Sequence, residues 1–494
     1  MGRSLTWASA SSLREWVAKG EVSPVEIVQN CLERIERLNP RLRAFITVDA
    51  DGAMAAARRA EAEVRSAGRL GPLHGIPVAI KDDVWAQGMP ATSGSLIFAR
   101  FVPSRDGTVV RRLRAAGAII IGKTNLPEFA SWPRTRSLVG GETLNPWDQT
   151  RIPGASSGGS AAAVASGMVP LAIGTDGGGS VRIPSALCGL VGLLPTIGRV
   201  PDHGGFLCSP VSSAGPMARS VEDLVLLQQV IAGPDPNVRC ALTEEPPDLA
   251  PALDGTVAGL RIAWSPDFGW IPVDPSVVDA AGAALQALAA AGAQVSAIGD
   301  RIPHPWGDGR PMAAVFEAAA IVGEDAVPDG SAPHTAFAEC ALVDSTARCE
   351  GFFAAPEIVG LLKSHHHLLS APHRLIASIG MADVTLPGPE ELQAAMDRVF
   401  ASHDVLCSPT MAMAAPLIPP GWGSPYPDSY SGTNFTFIAN ATGCPAATVP
   451  CGTVDGLPVG LQIIGRPRDE LTVLRVARAV EAAMPPMPWR SEGS

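Results

Sequence analysis

Apolar residues along the chain fall into two spacings. Ser23-Pro24-Val25-Glu26 open a helix, with Ser23 suited to the N-cap, Pro24 to the first helical position and Glu26 to a capping box. Val28, Cys31, Leu32, Ile35 and Leu38 follow at helical spacing, and Asn39-Pro40 is expected to end the element. The alanine-rich stretch 53–66 reads as a second helix. From Leu73 onward, short apolar runs alternate with helical stretches. Pro77–Lys81, Ala118–Ile121, Leu171–Gly174, Leu260–Trp264, Val405–Cys407, Ala447–Pro450 and Val459–Ile464 read as buried strands. Residues 106–116, 160–166, a stretch capped by Ser220 and 469–483 read as helices. This order predicts an α/β fold, a large parallel or mixed β-sheet covered by helices on both faces. Residues 1–70 form an N-terminal helical arm packed on the core, and 71–490 the main domain. Residues 234–258 read as a surface connection. Residues 300–400 are irregular and read as an insertion, either covering a site or forming a solvated helical appendage.

Composition narrows the class. The 494 residues are 46% hydrophobic and 17% charged, enough for a large core. A net charge of −11 argues against a non-specific nucleic-acid surface. No run reaches the roughly 18 apolar residues of a membrane span, and no apolar leader follows Met1. The nine cysteines are scattered, odd in number and without a CxxC pair, which predicts reduced thiols in a cytoplasmic protein. Lysine is rare: Lys19, Lys81, Lys123 and Lys363 are the only four.

The densest chemistry lies between Gly154 and Thr196. Two glycine-serine nests occur there, Ser156-Ser157-Gly158-Gly159 and Gly177-Gly178-Gly179-Ser180. Glycine runs let successive N–H groups converge on negative charge, and each nest adds a hydroxyl at the same place. That combination suggests acyl transfer. Three other patterns carry less. Gly117 to Thr124 fits the phosphate-binding G-x-x-x-x-G-K-T, but its middle residues are themselves a strand. Gly154 to Gly158 fits the nucleophile elbow G-x-S-x-G, but a loop precedes it, and the late His403 sits at a solvated helix-to-strand junction. His365-His366-His367 reads as a surface patch, because adjacent histidines diverge, and no cluster of metal ligands appears. No metal or cofactor is expected.

Serine needs a base, and without a convincing histidine the next option is a neutral lysine. Burial can lower a lysine's proton affinity by several pH units. Lys81 ends the apolar run PVAI, where a strand would bring it to a cleft edge. The alternative is an ordinary strand-end lysine paired with Asp82.

The segments LHGIPVAIKDD, IGKTNLPEFA, LNPWDQTRIPGASSGGSAAAVASG, GTDGGGSVRIPSALCGLVGLLPT, GPMARSVED and GLPVGLQIIG, in this order, resemble the amidase signature family. The likeness runs from about residue 10 to residue 483, with a variable part between about 235 and 400, and makes 71–490 the catalytic domain. It implies a Ser-cisSer-Lys triad: Lys81 as base, Ser156 in a cis peptide as relay, Ser180 as nucleophile. It also implies an oxyanion hole from the N–H groups of Gly177, Gly178, Gly179 and Ser180, and an acyl-enzyme intermediate. Asp176 and Arg182 are expected to hold the loop, and Ser157 to hydrogen-bond within the nest. The chain departs from the family pattern at Ala155, where a glycine is common, at Gly177, where a larger residue is usual, and at Leu194, where a lysine is usual.

The likeness further places Ala130, Ser131 and Trp132 on one side of the acyl pocket and the loop around Gly205, Phe206 and Cys208 on the other. A small residue and aromatics there suit an apolar substrate. The expected activity is therefore a serine hydrolase that cleaves C–N bonds of small hydrophobic or aryl amides, with esters and carbamates (urethanes) in range. Its expected partners are such small molecules, with no nucleic acid and no membrane. A homodimer is common in the family, and no residue here decides it. The alternative within the family is the glutamine-hydrolysing A subunit of a tRNA-dependent amidotransferase. An alternative of another class is a non-catalytic binding protein on the same scaffold.

Overall fold

A computed structural model describes residues 4–66, 70–201, 211–238, 240–254, 256–304, 364–365, 369–370, 389–426 and 435–488. Most of the 300–400 segment, with Gly205, Phe206, Cys208, His366 and His367, lies outside the described residues. Among the described residues, no helix is long and apolar enough to cross a membrane.

Eleven strands of the described residues form one mixed sheet. In chain order they are β1 (Phe45–Val48), β2 (Pro77–Lys81), β3 (Ile119–Thr124), then, after a small hairpin of β4 (Arg136–Ser137) and β5 (Gly141–Glu142), β6 (Leu171–Asp176), β7 (Val191–Leu194) and β8 (Ser213–Ala218). The series continues with β9 (Arg261–Trp264), β10 (Gln294–Ala297), β11 (Val405–Pro409), β12 (Ala446–Val454) and β13 (Leu457–Gly465). The spatial order is β1-β3-β2-β6-β8-β7-β12-β13-β11-β9-β10. Parallel pairing joins β3-β2-β6 and β11-β9-β10, and antiparallel pairing joins the middle strands and adds β1 at the β3 edge.

Alternation along β2 shows why both faces are covered. Val78 and Ile80 enter one core with Leu171, Ile173 and Val221, while Ala79 enters another with Ala161–Ala165 and Ala172. A strand buried on both faces reads as the unbroken apolar run PVAI. The helix Gly158–Ala165 is buried along its whole length and built of glycine, alanine and serine with one valine, so it can lie close against the sheet.

The N-terminal segment departs from an all-helical arm. The helices Pro24–Leu42 and Ala50–Arg65 flank β1, whose apolar FITV run pairs antiparallel with β3 and extends the main sheet. The capping box at Ser23 forms, its hydroxyl accepting from the Val25 N–H and Glu26 accepting from the Ser23 N–H. The helix continues past Pro40, which sits exposed in the last turn, where water can take up the carbonyl its missing N–H leaves.

Candidate active site

The carboxyl ends of neighbouring parallel strands are where α/β folds place ligands. Here β2 ends on Lys81 and β6 on Thr175-Asp176, side by side, with the helix Gly158–Ala165 packed on β6. Lys81 is fully buried. Its Nζ lies 2.7 Å from Ser156 Oγ and 2.6 Å from Thr175 Oγ1. The Thr175 hydroxyl donates onward to Asp83 Oδ2 at 2.9 Å, and Asp83 is itself 3.5 Å from the amine. Burial lowers the proton affinity of Lys81, and the carboxylates of Asp83 and Asp176 oppose that shift without cancelling it. Asp82 is not the partner of Lys81. Its carboxylate accepts from Thr92 and faces Lys123 instead.

The peptide between Ala155 and Ser156 is cis. Ser157 acts on the backbone across the site: its hydroxyl donates to the Thr175 carbonyl and accepts from the Thr175 N–H, each at 3.2 Å. Its own N–H donates to the Ser180 carbonyl at 3.1 Å. Ser180 is half-buried at the end of the glycine loop.

Asp176 and Arg182 are both fully buried and paired in two parallel bonds of 2.9 and 3.0 Å. Burial pushes the Asp176 carboxyl up, but Arg182, Asn440 and the Gly179 N–H outweigh it and hold it below the ordinary value. The Gly179 N–H donates to Asp176 Oδ1 at 2.6 Å. That leaves Gly177, Gly178 and Ser180 as the loop donors not aimed at this carboxylate. Arg182 also reaches Gln462 Oε1, Asn440 Oδ1 and the Thr436 carbonyl. No sequence pattern marks Thr175, Thr436, Asn440 or Gln462 as site residues. Only Asp83 carries a signal, its place two residues after Lys81.

Among the residues assigned to the acyl pocket, Trp132 is buried and Ala130 has a left-handed backbone (φ 56°). The Ser131 hydroxyl donates to the Phe129 carbonyl at 2.9 Å. Phe206 and Cys208 lie outside the described residues.

The amidase family model matches residues 26–474. The chain belongs to the amidase signature family. This amidase signature protein is an enzyme acting on carbon–nitrogen bonds. It is 39% identical to the A subunit of a glutamyl-tRNA(Gln) amidotransferase of Chloroflexus aurantiacus, over 94% of each chain. The crystallised A subunit of the glutamyl-tRNA(Gln) amidotransferase from Thermotoga maritima is 28% identical with a TM-score of 0.72, over 99% of this chain and all of the other. A bacterial aryl acylamidase of the amidase signature family is 28% identical with a TM-score of 0.76, over 98% and 97%.

These relatives correct two expectations. The expected activity on small hydrophobic or aryl amides, esters or carbamates gives way to the amidotransferase alternative. Relatives 35–39% identical over more than nine-tenths of the chain carry that name. The apolar pocket rests on three side chains, Ala130, Trp132 and Phe206, and Phe206 lies outside the described residues. The expected partners, a small molecule alone and no nucleic acid, are corrected as well. The relative's name designates one subunit of an enzyme acting on a charged tRNA. Net charge bears on a chain's own surface and not on contacts made through another chain.

Proposed function

We propose that the chain is the glutamine-hydrolysing A subunit of a tRNA-dependent amidotransferase, which releases ammonia from a side-chain amide. The observation that carries this reading is the 39% identity, over 94% of both chains, with the Chloroflexus amidotransferase A subunit. In this reading Ser180 is the nucleophile, Ser156 the relay and Lys81 the base. The hydrogen-bond polarity supports it. Thr175 donates to Asp83, so its oxygen is free to accept an N–H from Lys81. A neutral amine can then turn its lone pair to the Ser156 hydroxyl, 2.7 Å away.

Ser180 Oγ attacks the amide carbon as its proton passes to Ser156 and the Ser156 proton to Lys81. The N–H groups of Gly177, Gly178 and Ser180 receive the developing oxyanion. The relay returns the proton to the departing ammonia, and water then cleaves the acyl-enzyme to glutamate and free Ser180. Co-expression with the partner subunits of the same genome tests the assignment. The complex is expected to hydrolyse glutamine and to amidate glutamyl-tRNA(Gln), and Ser180→Ala to abolish both. Full activity on aryl amides from the chain alone, with no glutaminase in the complex, would overturn it.

A further inference from the structure

Three consecutive glycines, 177–179, give the loop before Ser180 the widest backbone freedom a chain can have. A loop that receives an oxyanion must nevertheless hold its N–H groups fixed before the reaction. One peptide unit in this loop is held at both ends. The carbonyl of Gly178 accepts from the Thr436 hydroxyl at 2.7 Å, and the N–H of the same unit, on Gly179, donates to Asp176 at 2.6 Å.

Thr436 is fully buried and stands at the N-cap of the helix Phe437–Thr442, yet its side chain does not cap that helix. An N-cap threonine ordinarily turns its oxygen to its own helix. This one donates to the glycine loop instead. The approach is close enough that Gly179, at φ +112°, has no room for a side chain, since a Cβ there would stand 2.2 Å from Thr436 Oγ1. The two jaws are also joined behind the loop. Arg182 binds Asp176 with two nitrogens and the Thr436 carbonyl with the third, at 2.7 Å.

We infer that Thr436 is a positioning residue for the oxyanion loop. With Asp176 it stops the Gly178–Gly179 peptide from rotating, so the N–H groups of Gly178 and Ser180 on either side stay aimed at the substrate carbonyl. This rests on the reading of Ser180 as nucleophile. The role is exerted on charge that develops during the reaction, so its loss lowers kcat and leaves substrate binding nearly unchanged.

The test is glutaminase kinetics of the assembled complex carrying Thr436→Val, Thr436→Ser or Ser180→Ala, with thermal unfolding and fluorophosphonate labelling of Ser180. Thr436→Val is expected to lower kcat about 10- to 100-fold with KM changed less than about twofold. Thr436→Ser, which keeps the hydroxyl, is expected to restore kcat to within about threefold of the parent. Should the valine variant not fold, Thr436→Ala reads the same loss without adding a methyl. A parental kcat in the hydroxyl-free variant, a loss confined to KM, or a serine variant as slow as the valine one would overturn the inference. Activity or labelling that survives Ser180→Ala would instead sink the nucleophile assignment, whatever Thr436 does.

Discussion

Two lysines end neighbouring strands of this sheet, and their surroundings suit them to opposite uses. Lys81 at the end of β2 and Lys123 near the end of β3 are both fully buried, and burial lowers the proton affinity of both. Their partners differ. Lys81 bonds two hydroxyls, which can donate or accept, and the Asp83 carboxylate stands farther off at 3.5 Å, so a neutral amine with a lone pair fits. Lys123 holds the carbonyls of Asp82 and Pro90 at 2.8 and 3.2 Å, and carbonyls can only accept. A lone pair on Lys123 would face no donor among these partners. In the proposed mechanism Lys81 exchanges a proton, while Lys123 ties down the turn after β2.

A register irregularity separates the two. Val78 pairs with Ile120, but Ala79 pairs with Gly122, leaving Ile121 extra. Beyond it Ile80 lies opposite Lys123 and Lys81 opposite Thr124, so the lysines project to opposite faces. The lesson is that burial alone does not make a lysine a base. The hydrogen-bonding capacity of its neighbours decides.

Removing each amine would give the largest contrast. Lys81→Met is expected to lower glutaminase kcat/KM by at least about 10³-fold, because the relay loses its terminal base. Lys123→Met is expected to cost about 3–5 kcal/mol of stability, since it leaves the buried Asp82 carboxylate and two carbonyls without a cation. Activity per folded molecule should stay within about fivefold of the parent. Kinetics beside urea unfolding measures both. A Lys123 variant as inactive as the Lys81 variant, yet fully folded, would erase the distinction.

A subtler change should move the pH profile. In the proposed mechanism activity requires neutral Lys81, so kcat/KM is expected to rise with pH through the proton affinity of its amine, which burial places below the ordinary 10.5. Asp83 favours the charged amine. Asp83→Asn should therefore shift the rising limb toward acid, while the amide oxygen keeps the Thr175 bond. Stability carries the same sign. Between the lowered folded value and 10.5 only the unfolded chain binds this proton, so stability rises with pH across that window. An unmoved limb would show that Asp83 does not sense the amine.

Long apolar runs make most of the sheet legible, and the lysine at the end of PVAIK stands out because it is one of only four. β7, β8 and the helix Arg182–Cys188 do not stand out, since VGLL, SAGPMA and RIPSALC are short and broken by glycine or proline. The continuation of β3 through Lys123 is hidden by the irregularity, which breaks the alternation that marks a strand. Thr436, Asn440 and Gln462 meet Arg182 from more than 250 residues away, and no local pattern carries such a contact. The substrate class misleads for a related reason. A few pocket side chains point to apolar amides, whereas the likeness to amidotransferase A subunits is spread over the whole chain.

The smallest expected effect tests the structural side of the comparison alone. The Asp82 carboxylate accepts from the Thr92 hydroxyl at 2.8 Å, and burial raises its proton affinity while Lys123 and Thr92 work against the rise. A carboxyl raised in the folded state makes stability fall as pH climbs from its ordinary 3.8 toward the folded value, because there only the folded chain holds the proton. Thr92→Val removes a donor to the charged form and raises the folded value further. The deficit against the parent should be about 1–2 kcal/mol at pH 7. It should shrink below pH 3.8, where both folded and unfolded chains are protonated at Asp82. Glutaminase activity and its pH limb should not move, since Asp82 answers to Lys123 and not to Lys81. Paired urea titrations at neutral and acid pH, read beside the kinetics, decide it. A deficit independent of pH would mean that Asp82 is already neutral in the fold, and that Lys123 is held by its carbonyls alone.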